Sequence, residues 1–192
     1  MRRKVAIMGG SFNPVHIGHL MLANYIRQEY YLDSVMLVLS PLNPLKENPA
    51  ALLPDDVRFE MLKIACEGID FLEASDVELS LPRPSYTINT LRYLSQKFTD
   101  TDFTLIIGAD NWEIFDKWRS SEEIIRDYGV LVYPRPGYVT VPENMERVKF
   151  SRAPMFDISS TFIRNLIASG GDPMFFVPQG VRNYIIKHNL YK

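Results

Sequence analysis

Only one cysteine, Cys66, and three histidines occur in the 192 residues of the chain. A single thiol excludes an intramolecular disulfide and suits a reducing compartment, so a cytoplasmic protein is expected. Cys66 falls in an apolar stretch of helical period, which points to packing rather than nucleophilic chemistry. Charge of one sign is also scarce: 21 Lys and Arg against 23 Asp and Glu leave a net −2. That balance disfavours stable nucleic-acid binding through phosphate neutralisation. Long hydrophobic runs are missing too. Arg2-Arg3-Lys4 precede an apolar segment that reaches only Met8 before Gly9, too short for a signal-peptide core or a membrane span. No membrane partner is expected. Cys and His do not recur at zinc spacing, no Gly-x-Ser-x-Gly elbow is present, and no carboxylate pair stands out as an acid/base couple.

What is present is a 46% hydrophobic chain, enough to bury a core in one domain spanning residues 1–192. Short apolar runs alternate with segments of helical period, which predicts an α/β fold: a doubly wound parallel sheet with helices on both faces. Strands are expected at Lys4–Met8, Val35–Leu39, Val77–Leu79, Thr104–Ile107, Val130–Tyr133 and Met155–Ile158. Leu20, Ala23, Ile26 and Tyr30 mark the buried stripe of a first helix. Asp55 is placed to cap a second helix carrying Phe59, Leu62 and Ala65, and Thr87–Lys97 has helical period. Ser120 with Glu123 reads as a capping box. A helix from Ser159 to Ala168 should stop at Gly170-Gly171, and Pro178 can open a small C-terminal helical part carrying Val181, Tyr184 and Ile185. Pro41, Pro44, Pro49 and Pro54 exclude regular structure from the segment after the second strand.

In such sheets ligands gather beyond the carboxyl ends of the strands, where the strand order reverses. The loop after the first strand reads Gly9-Gly10-Ser11-Phe12-Asn13-Pro14-Val15-His16-Ile17-Gly18-His19. Glycine lets backbone approach an anion, and the N–H groups opening the next helix point outward with the positive end of its dipole. His16 and His19, three apart, can project from one face toward the same phosphate. No Gly-Lys-Ser/Thr follows, so this is not a Walker loop, and the third glycine between histidines departs from the dinucleotide fingerprint. Ser159-Ser160-Thr161 at a helix start offer hydroxyls and N–H donors, with Arg164 one turn on as a cationic fork. Gly108-Ala109-Asp110 puts a carboxylate just beyond a buried strand, where it can accept from ribose hydroxyls. Trp118 offers a flat ring for stacking or a core anchor, and Thr87 opens a helix whose N–H donors favour an anion.

The first string resembles the Gly-x-Phe-x-Pro-x-His-x-Gly-His signature of the nucleotidyltransferase superfamily, at Gly10, Phe12, Pro14, His16, Gly18 and His19. Ile158-Ser159-Ser160-Thr161-x-Ile-Arg164 is similar to the second signature of the nicotinate and nicotinamide mononucleotide adenylyltransferases. Gly108-Ala109-Asp110 with Lys117-Trp118, Pro84-Ser85-Tyr86-Thr87 and Tyr133-Pro134-Arg135-Pro136-Gly137 resemble further segments of that family. The resemblance implies a Rossmann-like fold and adenylyl transfer from ATP to nicotinate mononucleotide, giving nicotinate adenine dinucleotide and pyrophosphate in NAD synthesis. It implies ATP contacts from Gly10, Ser11, Phe12, His16, His19, Asp110, Ile158, Ser159, Ser160, Thr161 and Arg164. Mononucleotide contacts are implied for Asn43, Lys46, Tyr86, Thr87, Trp118 and Arg135. Catalytic weight falls on His16, His19, Lys46 and Arg164. Leu45 stands where many members have His before the Lys, so a third histidine contact is not supported. Mg²⁺ is expected to arrive with ATP, with no metal site in the protein itself. The runner-up acceptors are nicotinamide mononucleotide and phosphopantetheine, and a non-catalytic nucleotide sensor is the rival of another class. A homo-oligomer is compatible with the sequence.

Overall fold

The computed structural model describes residues 2–41, 52–138 and 146–192. In chain order the elements are β1 (Arg3–Gly10), α1 (Ile17–Glu29), β2 (Ser34–Leu39), α2 (Asp55–Cys66), β3 (Leu72–Ser75), α3 (Thr87–Lys97) and β4 (Thr101–Gly108). Then come the short α4 (Ala109–Trp112) and α5 (Ser121–Glu123), β5 (Val130–Tyr133), β6 (Val148–Phe150), α6 (Ser160–Ala168) and α7 (Gln179–Lys187). The strands form one sheet in the order β3-β2-β1-β4-β5-β6, and every neighbouring pair is parallel. The order reverses between β1 and β4, so the loops leaving these two strands diverge to opposite faces and open a crevice.

Side-chain alternation explains why both faces are covered. Ala6, Met8, Val35, Leu37 and Ile106 point into one core with Leu22 and Ile26 of α1, Met61 and Leu62 of α2, Ile163 of α6 and Val181 of α7. Val5, Ile7, Met36, Val38, Leu105 and Ile107 point into the other, with Ile88, Leu91 and Leu94 of α3. A strand buried on both sides must be apolar throughout, as Ser34–Leu39 nearly is. Each such buried side chain contributes roughly 1.5–3 kcal/mol before the entropy of ordering is set against it. The C-terminal helices belong to the first core and are not a separate lobe.

Several expected elements move. Val77–Leu79 is a 3₁₀ turn, closed by Leu79 N–H to Asp76 O at 2.8 Å; the third strand is Leu72–Ser75, pairing with β2. Met155–Ile158 has no regular structure, and the sixth strand is Val148–Phe150. Pro154 cannot donate to a ladder, which fits the chain leaving the sheet before it. Pro54, not Asp55, occupies the N-cap of α2, and the Asp55 carboxylate pairs with Arg58 and Arg83 instead. Ser120 has φ 55°, a left-handed backbone rather than the extended one of a capping residue, and makes no capping bond, while the Glu123 carboxylate is held by Arg92. Cys66 is buried, and burial, with the Glu73 charge adding, pushes its thiol up to about 11, which keeps it an inert packing group. Among the described residues no helix is long and apolar enough to cross a membrane.

Candidate active site

The signature loop leaves β1 at the reversal point and is folded around its own aromatic ring. Phe12 sits at φ 43°, a left-handed backbone uncommon outside glycine, and its side chain is 2% exposed. A Cβ on Gly10 would lie 3.1 Å from the Phe12 ring, so a larger residue there would press on that ring. The same ring meets His19 edge-on at 5.0 Å. His16 occupies the N-cap position of α1 in extended conformation, one residue before the helix begins at Ile17.

The two imidazoles are therefore brought together, with centroids 3.7 Å apart and planes 30° from parallel. The backbone N–H of His16 donates to His19 Nδ1 at 3.1 Å. With Nδ1 accepting, neutral His19 carries its proton on Nε2. Gly18 makes the stack possible: a Cβ there would be 3.0 Å from His16 Nδ1. His16 is only 6% exposed, and burial, reinforced by the Arg135 guanidinium, lowers its pKa to about 4. At pH 7 it meets a ligand as a neutral donor, not as a cation.

Helix α6 is tied to this loop through Ser160 and Arg164. Ser159 caps the helix by accepting from Phe162 N–H at 3.1 Å, and Ser160 Oγ donates to Pro14 O at 2.8 Å. Arg164 donates from Nη1 to Asn13 O at 2.9 Å and from Nη2 to Thr161 Oγ1 at 3.1 Å. The second motif and the first thus form one surface. Ile158 packs beside Gly18.

Two cavities flank the reversal point. The smaller, about 40 Å³, is lined by His16, Gly18, His19, Arg135 and Ile158. The larger, about 220 Å³, is lined by Gly10, Ser11, Ser40, Glu78, Ser85, Tyr86, Thr87, Trp118 and Arg119 among others. Tyr133 borders both. Arg135, expected with the mononucleotide residues, stands with the imidazoles, its Nε 3.7 Å from Asp110 Oδ1 and its guanidinium 5.1 Å from the Tyr133 ring. Gly10 and Ser11, expected on the ATP side, border the larger cavity. Asn43 and Lys46 lie outside the described residues.

Five buried side-chain polar atoms among the described residues have no hydrogen-bond partner: His16 Nδ1, Glu78 Oε2, Ser85 Oγ, Trp118 Nε1 and Arg135 Nε. All five belong to residues lining one cavity or the other. Folded proteins rarely leave such groups unpaired, at about 1–3 kcal/mol each, so their grouping around two adjoining cavities makes these the candidate ligand positions.

Glu78, Ser85, Arg58 and Arg119 were not singled out from sequence. Arg58 is fully buried and donates to Leu53 O at 2.9 Å, Ser11 O at 2.5 Å and Ser40 O at 3.1 Å, with Asp55 as its counter-charge. It locks the turns after β1 and β2 to each other. The one available signal was a cation on the same stretch of helix as Phe59, Met61 and Leu62.

The cytidylyltransferase-like family model matches residues 7–166. A probable nicotinate-nucleotide adenylyltransferase of Bacteroides fragilis is 46% identical over 97% of this chain and 92% of its own length. One from Christiangramia forsetii is 42% identical over the whole of both chains. Among solved structures, the Plasmodium falciparum nicotinic acid mononucleotide adenylyltransferase complexed with NaAD superposes with a TM-score of 0.77, covering 98% of this chain and 97% of that one at 18% identity, which speaks for the fold alone. The chain belongs to the cytidylyltransferase-like family and, within it, to the nicotinate-nucleotide adenylyltransferases.

Proposed function

We infer that the protein transfers the adenylyl group of ATP to nicotinate mononucleotide, forming nicotinate adenine dinucleotide and releasing pyrophosphate, in the cytoplasm. An oxygen of the mononucleotide phosphate attacks the α-phosphorus in line; the new P–O bond forms as the bond to the β-phosphate oxygen breaks. No enzyme nucleophile is required. The protein's contribution is to align two mutually repelling anions and to meet the charge that develops on the α-phosphate and leaving group.

The observation that carries this reading is the stacked His16–His19 pair bound to α6 through Asn13 and Arg164, beside a second, larger cavity across the reversal point. His19, donating from Nε2, and neutral His16 serve the triphosphate, with His19 nearest the α-phosphate. Ser159, Ser160, Thr161 and Arg164 serve the leaving pyrophosphate, with Gly10, Ser11, Phe12 and Ile158 shaping the cradle and Asp110 on the ribose side. Lys46 serves the reacting phosphates. Tyr86, Thr87 and Trp118 hold the pyridine ring, with Asn43 and Arg135 as further acceptor contacts. Mg²⁺ would arrive with ATP, held by phosphate oxygens and water, and would there supply neutralisation of the charge on the leaving pyrophosphate.

The test is pyrophosphate release by purified protein with ATP, Mg²⁺ and one acceptor at a time. Nicotinate mononucleotide should give the highest kcat/KM. A higher value with nicotinamide mononucleotide or phosphopantetheine overturns the acceptor, and no release with any of the three overturns the activity in favour of a nucleotide sensor.

A further inference from the structure

The residues after α7 return to the signature loop through a contact that none of the roles assigned above uses. The helix ends in a Schellman turn: Asn189 adopts φ 52° and its N–H donates to Ile186 O at 3.3 Å, while Leu190 N–H donates to Ile185 O at 3.1 Å. Tyr191 follows at φ 63°. These two left-handed residues fold the segment back, so that Leu190 and Tyr191 pack against the core shared by α1, α2 and α6. The Tyr191 hydroxyl then donates to Asn13 Oδ1 at 2.9 Å, across 178 residues of sequence.

Asn13 is 1% exposed and joins the signature loop to three other segments. Its Oδ1 also accepts from Leu53 N–H at 3.4 Å, just before α2, and its backbone carbonyl accepts from Arg164 Nη1 on α6 at 2.9 Å. A backbone N–H can only donate, so the side-chain atom it meets is the amide oxygen, and the phenol reaching the same atom must supply the proton. Burial raises the pKa of Tyr191 against the opposing Arg164 and Arg58 guanidinium charges, which keeps the hydroxyl a donor. Arg164 is thus aimed by a carbonyl whose own residue is fixed through its side chain.

Resting on the assignment of Arg164 to the leaving pyrophosphate, we propose that Tyr191 is a positioning residue for adenylyl transfer: its hydroxyl fixes Asn13, and Asn13 O in turn holds the Arg164 guanidinium in place for the departing phosphates. The aromatic ring packs and the hydroxyl positions, so the two contributions can be separated by removing one oxygen. The effect belongs to the pyrophosphate side, because neither Tyr191 nor Asn13 lines the larger cavity to which the pyridine ring is assigned.

The experiment runs the reaction backwards, from nicotinate adenine dinucleotide and Mg²⁺-pyrophosphate to ATP, in the wild type, Tyr191→Phe, Arg164→Gln and the double variant. Tyr191→Phe should raise KM for pyrophosphate about fivefold, the worth of one hydrogen bond of about 1 kcal/mol, and leave KM for nicotinate adenine dinucleotide unchanged. With Arg164 already replaced, the same substitution should have no further effect, since two members of one network do not add. Calorimetric titration with Mg²⁺-pyrophosphate alone supplies a reading independent of turnover, and Tyr191→Phe should weaken that binding by the same factor. An unchanged KM for pyrophosphate, a parallel rise in both Michaelis constants, or a fivefold effect that persists beside Arg164→Gln overturns the positioning role and leaves Tyr191 as packing, with the activity standing. A wild type that makes no ATP in this direction overturns the activity, and this role with it.

Discussion

His16 makes a pH-dependent contribution to stability that can be isolated by one substitution. Its ring titrates from the ordinary value of 6.5 in the unfolded chain to about 4 in the fold, because burial, and then the Arg135 guanidinium, disfavour the imidazolium. Between those values the unfolded chain binds a proton that the folded chain refuses, so stability rises with pH across the window and is lost as pH falls through it. The whole gap is worth about 3 kcal/mol, of which about 2 kcal/mol disappears between about pH 7 and about pH 5. Urea unfolding of the wild type and of His16→Gln at those two values gives the quantity directly. Other groups, including Glu78 with its opposite dependence, enter both proteins alike and drop out of the double difference. The wild type should lose about 2 kcal/mol more than the variant. Equal losses would mean that His16 is solvated and titrates normally, and the buried stack with His19 would be wrong.

Three further perturbations address the parts around it. His19→Ala should lower kcat roughly 10²-fold with the thermal unfolding curve little changed, the scale for losing one preorganised donor at a developing charge; near-normal turnover contradicts its role. Arg58→Met leaves the carbonyls of Ser11, Ser40 and Leu53 without their donor and should cost about 3 kcal/mol in chemical denaturation, and a loss under about 1 kcal/mol would show that the turns hold themselves. Gly108→Ala would set a Cβ 2.2 Å from Asp110 Oδ1 and 3.1 Å from Arg135 Nε. Displacing that carboxylate should raise KM for ATP at least about tenfold, the worth of a charge-assisted hydrogen bond, and an unchanged KM removes Asp110 from the ATP site.

What could be read from sequence and what could not divide along the distance over which each feature is decided. The first motif was legible because its causes are local: Gly10 yields to Phe12 two residues on, and Gly18 makes room for His16 two residues back. The limits of α3, Thr87–Lys97, agree with expectation for the same reason. Val77-Glu78-Leu79 has the alternation of a strand, yet its backbone closes on Asp76 and Val77 as a 3₁₀ turn, while the strand beside β2 is the mixed Leu72-Glu73-Ala74-Ser75, exposed enough at an edge to need no apolar run. Ser120 and Glu123 have capping-box spacing, but Arg92, 31 residues away in sequence, takes the carboxylate at 2.8 Å. Glu78 is buried because Thr90 meets it from another element, and Arg58 because carbonyls from turns 47 and 18 residues away converge on one guanidinium. Glu78 lines the larger cavity and Arg58 joins the turns after β1 and β2, and neither belongs to a local motif. The residues proposed to touch phosphate announce themselves through local backbone chemistry, whereas Glu78 and Arg58 are defined by partners that only folding supplies.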